Sequence, residues 1–255
     1  MQLKNKVAVI TGGSSGLGEA TVRRFLAQHA QVAIFDLNDA AGKDLVAELG
    51  DDRLAYFQVN VSNTSEVSDA LAKTQARFGG INICCNYAGI LLPEKVMGKD
   101  GMCSLDKFSR TIETNLIGTF NVIRHVAAIM VKNHPENGCQ GVIINTASIA
   151  AYEGQIGQAG YSASKAGILG MMLPIARDLA KWGIRVNTIA PGIIHTPIFD
   201  GVKEEIYHSL QQQVLFPKRL GSPDEVAHIA QTIVENDYLN AEVIRIDGGI
   251  RMQER

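Results

Sequence analysis

The chain has 255 residues, 46% of them apolar, and a formal net charge of −2 at pH 7. Its basic residues are dispersed, which excludes the electrostatic footprint of a nucleic-acid or anionic-membrane binder. No apolar run reaches the ~18 residues of a membrane span, and the six histidines show no metal-ligand spacing. No metal site is expected. Cys84, Cys85, Cys103 and Cys139 lack a C-x-x-C pattern, so free thiols in a reducing, cytoplasmic setting are the expectation. The opening "MQLKNKVAVIT" enters a strand-like run rather than a secretory signal.

Short β-branched runs alternate with longer helical patterns. "KVAVIT" (6–11) precedes "GEATVRRFLAQH", and "QVAIFD" (31–36) precedes a helix beginning near Asp39. "RLAYFQV" (53–59) leads to "SEVSDALAKTQARFG", and "INICCN" (81–86) to one long helix through "FSRTIETNLIGTFNVIRHVAAIM". "GVIINTAS" (141–148) leads to "YSASKAGILGMMLPIARDLAKWG", where Pro174 predicts a bend in an otherwise continuous helix. "IRVNTIAP" (184–191) opens a loop and lid, and "EVIRIDGG" (242–249) closes the series. Near-continuous apolar strands between helices predict an α/β fold: one Rossmann-type, doubly wound domain over 1–255, with about seven parallel strands and helices on both faces. No linker divides it.

Between the first strand and first helix lies "TGGSSGLG", with Gly12, Gly16 and Gly18 spaced G-x-x-x-G-x-G. Glycine lets a backbone approach a pyrophosphate without a Cβ clash, and the following helix offers free N–H groups to phosphates. A ligand-free tight turn is the plainer reading of such a string alone. The second strand adds Asp36, 18 residues beyond Gly18, about where an acid takes the adenosine ribose hydroxyls. A carboxylate there repels a 2′-phosphate, and no Arg or Lys lies within 12–18. NAD is therefore favoured over NADP.

Tyr161 and Lys165 stand one helical turn apart among small residues. Either they form a surface pair, or the lysine sets the acidity of a proton-transferring phenol. Bringing a tyrosine from about 10 to near 7 takes about 4 kcal/mol, whereas an exposed ion pair supplies ~0.2–1 kcal/mol. The catalytic reading therefore requires a partly desolvated cleft, in which the ammonium also donates to a nicotinamide ribose. Ser148 ends the fifth strand, at the carboxyl edge where open parallel sheets bind ligands, and would hold a substrate oxygen against Tyr161.

With "TGGSSGLG", "NYAG" (86–89), Asn115, Ser148 and "YSASK" in that order, the chain resembles the short-chain dehydrogenase/reductase family over its whole length. "NTASIAAYEGQIGQAGYSASKAGILGMMLPIARDLA", "IRVNTIAPGIIHTP", "FPKRLGSPDE" and "EVIRIDGGIRMQ" look like its type-II 3-hydroxyacyl-CoA dehydrogenase branch, homotetramers that also oxidise other secondary alcohols. The resemblance implies that Asn115, Ser148, Tyr161 and Lys165 are catalytic, with Ser148 and Tyr161 meeting substrate and Asn115 organising a water relay to the lysine. It implies that Ser15 and Leu17 line pyrophosphate and ribose, Asp36 takes the ribose, and Asn60 and Val61 flank the adenine. Asn86, Tyr87, Ala88 and Gly89 shape the wall beside the cofactor, while Ile194 and Thr196 meet its nicotinamide end. Asn60 stands where an aspartate is usual, and Tyr87 where a small or amide residue is usual.

The stretch 193–217 reads as an apolar-faced helical lid over an acyl chain or flat hydrocarbon, with ordinary core packing as the alternative. Lys203, Lys218 and Arg219 would meet CoA phosphates, unless they are simply solvated. The expected activity is NAD-dependent interconversion of (S)-3-hydroxyacyl-CoA and 3-oxoacyl-CoA in fatty acid metabolism. The alternatives are a 3-oxoacyl-carrier-protein reductase, a general alcohol or steroid dehydrogenase, and a non-catalytic NAD-binding regulator. The helices around Asn115 and after Tyr161 are apolar on more than one face, as a homotetramer requires.

Overall fold

The computed structural model describes residues 1–99, 101–197, 201 and 204–254. In chain order the first half comprises β1 (Val7–Thr11), α1 (Gly16–Ala27), β2 (Gln31–Asp36), α2 (Asp39–Leu49), β3 (Leu54–Gln58), α3 (Thr64–Phe78) and β4 (Ile83–Asn86). A small hairpin, β5 (Met97–Gly98) and β6 (Gly101–Met102), follows, then α4 (Leu105–Ile112), a π-helical turn (Glu113–Gly118) and α5 (Thr119–Met130). The second half holds β7 (Gly141–Thr146), α6 (Ala159–Leu179), β8 (Ile184–Pro191), α7 (Glu204–Gln213), α8 (Pro223–Glu235) and β9 (Val243–Ile246).

Period-two alternation sets the layers. In β1, Ala8 and Ile10 join a core with Val22 and Phe25 of α1 and with Val226, Ala230 and Ile233 of α8. Val7 and Val9 face the other way, into a core with Val67 and Leu71 of α3, Val122 and Val126 of α5, and Met172 and Ile175 of α6. Strands buried on both faces must be apolar at every position, which is why these runs do not alternate with polar residues. The seven long strands form one parallel sheet in the order β3-β2-β1-β4-β7-β8-β9. The order reverses between β1 and β4, and a crevice opens there at the strands' carboxyl ends.

One element differs from the sequence expectation. The single helix expected over 108–130 is interrupted by the π turn at Glu113–Gly118, the kind of local widening often found at functional sites. Gly118 lies in it because a Cβ there would come within 2.6 Å of the Val61 side chain. The helix through Pro174 is continuous from Ala159 to Leu179. Pro174 and Gly170, whose carbonyl loses its partner, are both exposed, where a missing backbone donor costs least.

Candidate active site

The turn after β1 is closed so tightly that glycine is obligatory at two points. A Cβ on Gly18 would lie 2.1 Å from the Gly12 carbonyl oxygen, and one on Gly12 would lie 2.8 Å from the Ala88 nitrogen. Gly12 also has φ +63° and donates its N–H to the Phe35 carbonyl at 2.8 Å. Ser15 is the N-cap of α1 with extended backbone, yet its side chain caps no N–H. The first-turn donors of α1 therefore open into a groove of about 780 Å³ lined by Ser15, Gly16, Leu17, Gly18 and Asp36. Asp36 accepts from Ser14 N at 3.1 Å and from Asn38 N at 3.0 Å, so both carboxylate oxygens are fixed in direction and keep spare lone pairs.

A second hollow of about 420 Å³ lies on the far side of Tyr161. Leu17, Tyr87, Gly89, Ile90, Tyr161 and Thr196 border both; Ser148, Lys165 and Ile194 line only the inner one. The small residues around Tyr161 have a packing reason. A Cβ on Gly160 would meet Phe108 at 3.2 Å, and one on Gly167 would meet Leu116 at 2.8 Å, so α4 and the π turn press directly against α6. Lys165 is only 5% exposed.

Sequence spacing predicts Lys165 as the group that acidifies Tyr161, and the structure holds the two close together in a desolvated cleft. The Lys165 ammonium donates to the Thr146 carbonyl at 2.7 Å, and its Nζ lies 5.7 Å from the Tyr161 ring centroid. Burial pushes the lysine down to about 8. Burial pushes the Tyr161 phenol above its ordinary 10, opposed by a hydrogen bond with Ser148. The Ser148 hydroxyl is the hydrogen-bonding group that favours phenolate here. Ser148 Oγ also accepts from Ala150 N at 3.1 Å, which starts the short turn after β7.

Asn115 is fully buried at the π turn and lines neither hollow. Its Oδ1 accepts from Ile90 N at 2.7 Å, and its Nδ2 donates to the Ile90 carbonyl at 2.9 Å and to Ser164 Oγ at 3.1 Å. It thereby ties the loop after β4 to α6. Asn86 also lies beneath the surface, donating to Asn145 Oδ1 at 2.9 Å. Asn60 and Val61 line the outer groove, although Asn60 Oδ1 already accepts from Ser62 N at 3.0 Å. The Tyr87 hydroxyl pairs with Thr21 Oγ1 of α1 at 2.9 Å, so this unusual residue bolts the "NYAG" loop to the first helix. Burial holds its phenol far above the ordinary range.

Around the inner hollow, Gln155, Gln158, Leu210 and Met252 are lining residues that local sequence patterns do not flag. Arg110 and Glu113 of the outer rim likewise carry no motif. The described part of 193–217 contains the helix α7, none of whose residues is buried; Leu210 of α7 lines the hollow, beside Ile193, Ile194 and Thr196 of the preceding loop. Tyr207 of α7 pairs with His195 Nδ1 at 3.1 Å, tying the helix to the loop after β8. Of the three cations expected to meet phosphates, Arg219 is bound by both oxygens of Glu225 at 2.8 Å. Lys218 donates to the Gln212 carbonyl at 3.0 Å, and Lys203 lies outside the described residues. Among the described residues no cluster of three or more His, Cys, Asp or Glu could hold a metal ion, and no helix is long and apolar enough to cross a membrane.

Glycine turn, acid-tipped second strand and paired hollows define a dinucleotide-dependent oxidoreductase, and the chain belongs to the short chain dehydrogenase family, whose profile matches residues 6–206. More particularly, it is 50% identical to human 3-hydroxyacyl-CoA dehydrogenase type-2, over 98% of this chain and 97% of the relative. It is 47% identical to the Drosophila melanogaster protein of that name, over 98% and 99%. The crystal structure of 3-hydroxyacyl-CoA dehydrogenase type-2 from Mycobacterium avium superposes with a TM-score of 0.93 at 42% identity, covering 98% and 97% of the two chains. A nicotinamide cofactor follows from the family. The residues present fit one: uncapped helix donors for phosphates, glycines where a side chain would intrude, and a carboxylate at the ribose end.

Proposed function

We propose that this chain is an NAD-dependent dehydrogenase interconverting (S)-3-hydroxyacyl-CoA and 3-oxoacyl-CoA. The observation that carries the reading is the placement of Tyr161, which borders both hollows and hydrogen-bonds Ser148 inside the second. A phenol there reaches substrate from one side while facing the dinucleotide groove on the other. The names of the relatives supply the acyl-CoA class, and Asp36 supplies the preference for NAD, because its carboxylate repels a 2′-phosphate. Gly12, Gly16, Gly18, Ser15, Leu17, Val61, Ala88, Gly89, Ile194 and Thr196 form the cofactor wall in this reading.

When bound, the nicotinamide supplies the hydride acceptor or donor and, in its oxidised form, a positive charge. The remaining chemistry is the chain's own. In the reductive direction the up-shifted Tyr161 phenol is protonated at neutral pH and donates its proton to the ketone oxygen. In the oxidative direction its ionised form takes the alcohol proton. Ser148 steadies the substrate oxygen and favours phenolate. Lys165 holds its charge in a buried site through the Thr146 carbonyl, and Asn115 keeps the Ile90 loop and α6 in register.

The exposed apolar residues Leu105, Phe108, Ile117 and Phe120 on the α4–α5 face, with Leu173 on α6, support a homotetramer; light scattering at a monomer mass would refute it. The three buried cysteines and the partly buried Cys103 suit a reducing, cytoplasmic setting. The deciding experiment offers acetoacetyl-CoA, the same acyl group on carrier protein, and a ketosteroid, each with NADH and with NADPH. Fastest turnover of acetoacetyl-CoA with NADH is expected. Preference for carrier-protein substrate with NADPH would replace this reading by the reductase, and absence of turnover on all three would favour a non-catalytic role.

A further inference from the structure

The inner hollow has two kinds of wall. Its cofactor side is shared with the outer groove, through Leu17, Tyr87, Gly89 and Thr196. On the side it does not share stands Met252, which lies six residues past β9. β9 is the last strand of the sheet, on the opposite side of β7 from the β1/β4 crevice. Met252 therefore faces the hollow from away from the cofactor. It packs against Ile149, Val214 and Ile250, so its thioether closes an apolar floor.

That floor is fixed from several directions. Met252 N donates to Glu153 Oε2 at 2.8 Å. The other oxygen of Glu153 meets Arg245 at 3.0 Å and Arg251 at 3.5 Å, and Arg245 also grips Asp247 at 2.7 Å. On the next residues, the Glu254 carbonyl accepts from Ile156 N at 3.0 Å and the Gln253 carbonyl from Gln155 Nε2 at 3.2 Å. Both flanks of Met252 are thus tied to the loop at 153–156, which leads into α6 and Tyr161. A side chain held so on both flanks discriminates by size, because neither the backbone nor the opposing loop can withdraw at low cost.

We propose that Met252 is the gauge of acyl-chain length, with Glu153 as the positioning residue that holds it. The inference rests on the acyl-CoA reading above. An acyl chain whose reacting oxygen is at Ser148 and Tyr161 extends away from the cofactor until it meets the Met252 thioether. Replacing Met252 by alanine removes Cγ, Sδ and Cε from the floor and lengthens the hollow, whereas phenylalanine shortens it.

The test measures kcat/KM with NADH for acetoacetyl-CoA and 3-oxododecanoyl-CoA, and inhibition by butyryl-CoA and lauroyl-CoA, on wild type, Met252→Ala, Met252→Phe and Glu153→Gln. The ratio of long-chain to short-chain kcat/KM is expected to rise roughly tenfold in Met252→Ala and to fall roughly tenfold in Met252→Phe, as apolar pocket contacts of this size allow. The inhibitor ratio should follow. Glu153→Gln, which leaves the thioether in place, should move both ratios in the alanine direction by a smaller factor. Ratios within about twofold of wild type in both Met252 variants would overturn the gauge. A wild type inactive on either acyl-CoA would overturn the acyl-CoA reading itself, and the gauge with it.

Discussion

The outer groove carries its two motif stretches, Gly12–Gly18 and Tyr87–Ile90, with Asp36 at the tip of the neighbouring strand, and completes its wall from Val59–Ser62 and Arg110–Thr114. The inner hollow instead gathers Ser148, Tyr161, Ile193, Leu210 and Met252 from five separate segments. The first is built for a ligand of fixed shape. In the proposed reading its motif residues act through backbone donors and absent side chains, so a turn and a strand end leave a legible signature. The second meets a ligand class of variable length, and its walls are side chains delivered by a lid, a loop and the segment after the last strand. Recognition through backbone leaves a glycine motif, whereas the packing of Ile193, Leu210 and Met252 leaves no pattern of its own.

The largest effect expected from this contrast is at the residue common to both hollows. Tyr161→Phe should lower kcat by about a thousandfold, the scale of general acid–base catalysis, while NADH affinity by fluorescence titration stays near that of wild type. Unchanged turnover would remove the phenol from the mechanism. Next, Gly18→Ala drives a Cβ to 2.1 Å from the Gly12 carbonyl, so backbone must move. A loss of about 3 kcal/mol in urea unfolding is expected, together with weakened dinucleotide binding. A mild loss would show the turn to be more pliable than it is drawn here.

Lys165→Met sharpens the energetic side of the same boundary. Holding the ammonium at about 8 instead of 10.5 costs the folded chain about 3 kcal/mol at neutral pH. Losing the bond to the Thr146 carbonyl returns about 1 kcal/mol of that. The sign follows from a folded value below the unfolded one: the cost is complete below pH 8 and vanishes above pH 10.5. The methionine variant should therefore be more stable by about 2 kcal/mol at pH 7, lose that advantage between pH 8 and 10.5, and be inactive. Equal stability at neutral pH would mean that the buried charge is better compensated than one carbonyl allows. The smallest effect is at the groove's far end. Asp36→Ala should weaken NAD binding by about tenfold, the scale of a hydrogen bond to a charged group, and narrow the preference over NADP; an unaltered preference would relocate the selectivity, with Arg110 the next residue to test.

How far the sequence reaches is visible at particular residues. Asp36 was locatable by counting from Gly18, because a strand and a helix of ordinary length fix the distance between a phosphate turn and a ribose. Tyr161 and Ser148 were locatable because a helical turn and a strand end are local facts. The partner of Lys165 was not: the ammonium turns to the Thr146 carbonyl, a group 19 residues away that only the packing of α6 on β7 brings near. Nor were the partners of the Asn115 amide, which are Ile90 and Ser164, 25 and 49 residues away.

By itself, then, the sequence determined the parallel sheet, its crevice and the glycines and acid that line it, since period, glycine spacing and strand ends are short-range properties of the chain. Tertiary structure alone decided which hydroxyl opposes the up-shift of the Tyr161 phenol, which partners Lys218 and Arg219 take, and which side chains line the inner hollow. Those outcomes depend on burial and on partners far apart in sequence. Desolvation energies are set by everything that packs around a group and not by its neighbours along the chain.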